Sequence, residues 1–65
     1  MLHERTTQEV RMSLDGLEMP ASRQEILECA RRNNAPASAI RAIERLPDRR
    51  YRDMDQVMEA IGQLM

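Results

Sequence analysis

Length, composition and charge restrict this chain to one small folded domain and remove several functional classes. At 65 residues the chain is near the size at which a hydrophobic core barely offsets chain entropy, and Tyr51 is its only aromatic residue, so the core must be aliphatic. A hydrophobic fraction of 42% argues against a disordered tail, and a net charge of −1 provides no overall basic footprint for nucleic acids or anionic membranes.

The first predicted helix covers about residues 6–16. Thr6 and Glu9 have the spacing of a capping box, and Gly16 is a stop signal near the end of the helix. The apolar stripe at helical spacing consists of Val10, Leu14 and Leu17. Residues 1–5 are therefore expected to form a flexible N-terminal tail.

The second predicted helix covers about residues 23–33. Pro20 interrupts the preceding segment, and Ser22 with Glu25 forms the clearest capping box in the sequence. Asn33-Asn34 is expected to close the helix, because asparagine tolerates the left-handed conformation of a helix C-cap better than other non-glycine residues. The inner face is assigned to Ile26, Leu27 and Ala30.

The last two predicted helices cover about residues 36–46 and 54–64. Pro36 suits the first turn of the third helix and Pro47 ends it, while Asp53 and Gln56 have the spacing of a cap for the fourth. Their apolar stripes are Ala39, Ile40, Ile43 and Leu46 in the third helix, and Met54, Val57, Met58, Ile61 and Leu64 in the fourth.

These signals predict an all-α fold in which residues 6–65 form one compact domain of four short helices, and no segment shows the alternating pattern of a strand. No apolar stretch approaches the roughly 18 residues of a membrane span, and the N-terminus lacks the hydrophobic region of a signal peptide. Cys29 is the single cysteine, which excludes an intrachain disulfide and fits a reducing compartment. We therefore expect a cytoplasmic protein that makes no membrane contact.

The order of motifs resembles a known protein family. The segments concerned are Leu14-Asp15-Gly16, Met19-Pro20-Ala21-Ser22, Ala30-Arg31-Arg32-Asn33, Ala35-Pro36, Leu46-Pro47-Asp48-Arg49 with Tyr51, and Asp55 to Ile61. Together they resemble the DUF2795 family of short bacterial proteins over about residues 10–62. Met19 stands where the family usually has tyrosine, and Asn34 where it usually has glycine. The resemblance implies the same helical order and a bacterial, cytoplasmic origin, and it brings no established activity.

No constellation of side chains predicts catalysis or a bound cofactor. His3 lies in the predicted tail, and Cys29 has Arg32 three residues on but no histidine partner. A half-buried structural cysteine is therefore the preferred interpretation, ahead of a nucleophile or a thiol redox sensor. Four carboxylates are candidate metal ligands by residue type: Glu25, Glu28, Asp53 and Asp55. They show neither the spacing of a metal-binding loop nor a histidine companion. We expect no enzymatic activity, no metal, no cofactor and no small-molecule substrate.

The segment Arg49-Arg50-Tyr51-Arg52 is the one basic cluster, and three arginines around an aromatic ring suit phosphate binding or base stacking. Asp48, Asp53 and Asp55 nearly neutralise this segment. The preferred interpretation is a turn in which Tyr51 packs into the core while the arginine side chains pair with local carboxylates.

Helices two and three also have the spacing of a helix-turn-helix, with Ala30, Ile40 and Ile43 at positions where that motif has small or apolar residues. The recognition helix would expose Arg41 and Arg45 beside Glu44, a partly acidic surface with few side chains that could contact bases. Nucleic-acid binding through the Arg49–Arg52 cluster and helix three is therefore the alternative function.

The leading prediction is a protein–protein interaction module, either a homo-oligomer or an accessory or regulatory subunit of a larger bacterial assembly. Met12 lies off the stripe of helix one, and Met19 and Met65 lie at the ends of elements. Exposed methionines form adaptable apolar contacts, so these residues are candidates for a partner site. The sequence leaves the identity of that partner open.

Overall fold

The computed structural model describes residues 3–64, with side chains described from residue 5 onward. The described residues form α1 (His3–Ser13), β1 (Ala21–Ser22), α2 (Arg23–Arg32), α3 (Ala37–Glu44), β2 (Arg50–Tyr51) and α4 (Met54–Leu64). Four short helices pack together, and the two strands add a ladder of only two residues each. The all-α class and the number and order of the helices are as the sequence predicts.

Helix α1 begins earlier than its capping signal predicts. The backbone of residues 3–5, expected to be a tail, is already helical, and Thr6 is a buried helical residue, 8% exposed. The remaining tail positions, 1 and 2, lie outside the described residues. The predicted capping box of Thr6 and Glu9 is wrong. The Glu9 carboxylate does not turn back to Thr6, because it accepts a hydrogen bond of 2.6 Å from Ser38 Oγ. A negative side chain beside the first turn of α3 is favoured by that helix's dipole.

Helix α1 ends at Ser13, before the predicted residue 16, and Gly16 acts in the turn that follows. Gly16 has a φ of +85°, and the Leu17 amide donates to the Leu14 carbonyl at 3.0 Å. The chain therefore reverses direction at a residue whose missing Cβ removes the strain of a positive φ.

Both ends of α2 form as predicted. The Glu25 amide donates to Ser22 Oγ at 3.2 Å, and the Ser22 amide donates to Glu25 Oε1 at 2.8 Å, which completes the capping box. At the other end Asn34 has a φ of 59°, and the Ala35 amide donates to the Ala30 carbonyl at 2.9 Å. This is a Schellman closure with asparagine in the left-handed position.

Helices α3 and α4 also begin near their predicted residues. Pro36 is the N-cap of α3, and its carbonyl accepts from the Ala39 and Ile40 amides at 3.0 and 3.1 Å. Asp53 Oδ1 accepts from the Gln56 amide at 3.0 Å at the start of α4, and Gln56 Oε1 accepts from the Arg52 amide at 2.8 Å.

The strand ladder is the element that the sequence analysis did not predict. It pairs the two linkers in antiparallel register, with Ala21 opposite Tyr51 and Ser22 opposite Arg50. Two-residue strands are too short to show an alternating pattern, so no sequence signal announces them. The ladder holds the segment before α4 against the start of α2.

The core is aliphatic apart from one tyrosine. Its largest fully buried side chains are Tyr51, Leu14, Ile26, Ile43, Leu46, Ile61, Val10 and Val57. Leu17, Leu27, Ile40, Met54 and Leu64 are half-buried and pack against this core. No helix in the described part of the chain is long and apolar enough to cross a membrane.

Candidate interaction surfaces

The first candidate surface, the arginine surface, consists of the exposed side chains of Arg49, Arg50 and Arg52. Local pairing with carboxylates was expected here and is not observed. Asp48 lies 3.8 Å from Arg23, and Asp53 caps α4. None of the three arginines makes a salt bridge with a residue that the structure describes. Asp48 and Asp53 are therefore engaged elsewhere, and the side chains of Arg49, Arg50 and Arg52 are exposed without a carboxylate partner among the described residues.

Tyr51 does not belong to the arginine surface. Antiparallel pairing puts Ala21 and Tyr51 on the inner side of the ladder and Ser22 and Arg50 on the outer side. The tyrosine ring is fully buried, and its hydroxyl donates to the Pro47 carbonyl at 2.7 Å. The guanidinium carbon of Arg49 lies 5.1 Å from the ring centroid, a cation–π distance. Tyr51 therefore packs inward, as preferred, and its ring is not available for base stacking.

The two arginines of the third helix face solvent beside an acidic neighbour. Arg41 is exposed on α3, and Arg45 is its exposed C-cap residue. Glu44, which precedes Arg45, lies 3.5 Å from Arg31 of α2. The surface offered by α3 is thus as mixed in charge as the sequence predicts.

The second candidate surface, the Met12 surface, surrounds the one large hydrophobic side chain that is exposed among residues 5–64. Met12 is 69% exposed, which agrees with its position off the helix-one stripe. It stands beside an open depression of about 250 Å³. The depression is lined by Glu9, Met12, Ser13, Asn33, Asn34, Ala35 and Pro36. Met19 is half-buried against the core, and Met65 lies outside the described residues.

Two hydrogen-bonded contacts hold the walls of the Met12 surface in place. Asn33 Nδ2 donates to the Ser13 and Asp15 carbonyls at 2.8 and 3.1 Å, which ties the end of α2 to the end of α1. The bond between Ser38 and Glu9 ties α1 to the start of α3. The depression is therefore built on the ends of three helices. Asn33 was predicted only as a helix terminator, because nothing local shows that its amide caps a different helix.

The cysteine is part of the same junction. Cys29 is 3% exposed, and its Sγ lies 3.9 Å from the Ser13 and Asp15 carbonyl oxygens. Cys29 is therefore structural, as preferred, but more deeply buried than the half-buried position predicted, and its burial keeps the thiol from the surface that a redox sensor requires. Within residues 5–64, no cluster of three or more His, Cys, Asp or Glu side chains could hold a metal. The side chain of His3 lies outside the described residues.

Comparison with known proteins assigns the chain to a sequence family. The profile of the family described as a protein of unknown function (DUF2795) matches residues 5–58, most of the 65-residue chain. Neither a curated protein nor a solved structure matches this chain. Since the family match covers well over half of the residues and agrees with the resemblance seen in the motifs, the chain belongs to the DUF2795 family.

Proposed function

We propose that this chain is a non-catalytic protein–protein interaction module of the bacterial cytoplasm, acting as a homo-oligomer or as an accessory or regulatory subunit of a larger assembly. The observation that carries the proposal is the exposure of Met12 beside a depression at the junction of three helices. A hydrophobic side chain exposed on a small domain costs hydration free energy in isolation, and contact with a partner recovers it.

The character of the Met12 surface supports a protein partner. Methionine is flexible and polarizable, so it adapts to an apolar contact, and interface centres are enriched in methionine and depleted in charged residues. Ala35 and Pro36 add apolar surface beside Met12, while the Asn33 bonds keep the backbone beneath them rigid. A rigid depression loses little conformational entropy when a partner docks.

Affinity capture from the native host with quantitative mass spectrometry tests the proposal. Met12→Gln keeps the length and the helix propensity of the side chain and removes its apolar character. Arg11→Gln introduces the same residue at the neighbouring exposed position outside the depression. We expect capture of the partner to fall at least tenfold with Met12→Gln and to change little with Arg11→Gln. Equal capture by both variants would contradict the proposal.

A second candidate function, nucleic-acid binding, is favoured by the arginine surface, whose three guanidinium groups lack salt bridges with described residues. Arg41 and Arg45 would add contacts from α3. Phosphate contacts make affinity depend steeply on salt, with a slope of about 0.9 per phosphate neutralised on duplex DNA.

Fluorescence anisotropy with labelled DNA and RNA over a range of salt concentrations separates this candidate from the first. The double substitution Arg49→Ala/Arg50→Ala should abolish binding, and the control Arg5→Ala/Arg11→Ala removes the same charge from α1. Binding that both double variants retain would exclude the arginine surface as the site.

A further inference from the structure

We propose that Met12 is the position at which peroxides oxidise this protein, and that its sulfoxide turns off the Met12 surface while the domain stays folded. The inference rests on the proposed function of that surface and names the regulation of the same site. Met12 is the most accessible sulfur in the described part of the chain, and it lies outside the core.

Burial separates Met12 from the other sulfur-containing side chains that the structure describes. Met12 is 69% exposed, whereas Met58 is 9% and Cys29 is 3% exposed. Met19 and Met54 are half-buried and pack against the core. Oxidation requires contact between the sulfur atom and the oxidant, so susceptibility follows exposure. In the folded chain a water-soluble peroxide therefore reaches the Met12 thioether ahead of the other described methionines.

The oxidation is a single oxygen transfer from hydrogen peroxide to the Met12 sulfur. A lone pair of the sulfur attacks one peroxide oxygen, so that an S–O bond forms while the O–O bond breaks. The departing hydroxide takes the proton of the transferred oxygen and leaves as water. The sulfur is oxidised and the peroxide is reduced by the same electron pair. Methionine sulfoxide reductases reverse the change, which makes the modification suitable for a switch.

The sulfoxide changes the surface and leaves the core intact. It is polar and accepts hydrogen bonds, whereas the thioether is the exposed apolar group beside Ala35 and Pro36. A partner that makes an apolar contact with Met12 would bury the sulfoxide oxygen without a hydrogen bond, which is unfavourable. In the free domain the same oxygen is hydrated at an exposed position of α1. A sulfoxide at Met58 would instead lie within the core and disrupt it.

Peptide mapping by tandem mass spectrometry locates the oxidised position. The full chain is treated with hydrogen peroxide, once folded and once unfolded in urea, and the sulfoxide at each methionine is followed with time. In the folded chain we expect Met12 to react at least about fivefold faster than Met58, because their exposed fractions are 69% and 9%. In urea, where burial is lost, the two rates should agree within about twofold. Equal rates at Met12 and Met58 in the folded chain would overturn the inference.

Affinity capture with the oxidised chain tests the switch. Conversion of Met12 to the sulfoxide should lower capture of the partner at least about tenfold, and methionine sulfoxide reductases should restore it. Met12→Leu is the matched control, because leucine is apolar, favours a helix and contains no sulfur. This variant should capture the partner equally well with and without peroxide. The urea denaturation midpoint of the wild-type chain should be unchanged when Met12 alone is oxidised, since the side chain is exposed.

A loss of capture that peroxide causes equally in Met12→Leu would place the effect at another residue, such as Cys29, and overturn the inference. Undiminished capture by the chain oxidised at Met12, or a lowered denaturation midpoint, would overturn it as well. Failure of the proposed function looks different, because untreated wild-type chain and Met12→Gln then capture the same proteins. The switch fails in that case too, and the peptide map alone decides whether Met12 is the oxidised position.

Discussion

The junction beneath the Met12 surface predicts a measurable asymmetry between two adjacent asparagines. Asn33 Nδ2 donates to two carbonyls of the α1 terminus, at 2.8 and 3.1 Å, whereas Asn34 occupies the left-handed position of the turn. Asn33→Asp keeps the shape of the side chain but replaces the donor by an oxygen that faces both carbonyls. Two neutral hydrogen bonds contribute about 1 to 3 kcal/mol together, and the added repulsion places the loss of unfolding free energy at about 2 to 3 kcal/mol.

Asn34→Asp is the matched control. Aspartate tolerates the left-handed conformation much as asparagine does, and it brings the same negative charge to the end of α2. The unfavourable helix-dipole interaction common to both variants costs about 0.5 kcal/mol. Urea denaturation followed by circular dichroism measures both losses, and the Asn33→Asp loss corresponds to a fall in Tm of roughly 8 to 24 °C. Losses within about 0.5 kcal/mol of each other would refute the role assigned to the Asn33 amide.

Three further stability predictions follow from the core and the caps, all measured by urea denaturation. Ile43→Ala removes a fully buried side chain and should cost about 2 to 4 kcal/mol, as should Ile61→Ala; an unchanged denaturation midpoint would mean that the core is misassigned. Tyr51→Phe removes the donor to Pro47 and should cost about 0.5 to 1.5 kcal/mol, and no loss would show that water replaces it. Ser22→Ala should cost about 0.5 to 2 kcal/mol and Ser22→Gly only a few tenths, whereas equal losses would contradict capping by the hydroxyl.

The two candidate surfaces differ in the physics of binding, so one set of measurements separates them. Contacts made by the Met12 surface are apolar and should change little with ionic strength, because hydrophobic burial does not depend on charge screening. Contacts made by Arg49, Arg50 and Arg52 should weaken as salt rises. A salt titration of any complex that this chain forms therefore indicates which surface holds the partner before any substitution is made.

Features set by neighbouring residues could be predicted from the sequence. The capping box of Ser22 and Glu25 spans three positions, and so does the cap of Asp53 and Gln56. The left-handed turn at Asn34 and the reversal at Gly16 depend on the conformational range of one residue each. Helical spacing of apolar residues then identified the buried face of each helix, and the exposure of Met12 follows from its place off that face.

Tertiary packing decided what depends on residues far apart in the chain. Glu9 does not cap α1 as predicted, because packing places its carboxylate beside Ser38. Asp48 lies beside Arg23 and not beside the arginines that follow it in the sequence. The ladder joins positions 28 to 30 apart, and its alternation turns Tyr51 inward and Arg50 outward. A hydrogen bond or ion pair goes to the group that folding places nearest, and short-range spacing carries no information about that group. The sequence by itself therefore determined the helices, while the tertiary structure decided which side chains remain free to bind a partner.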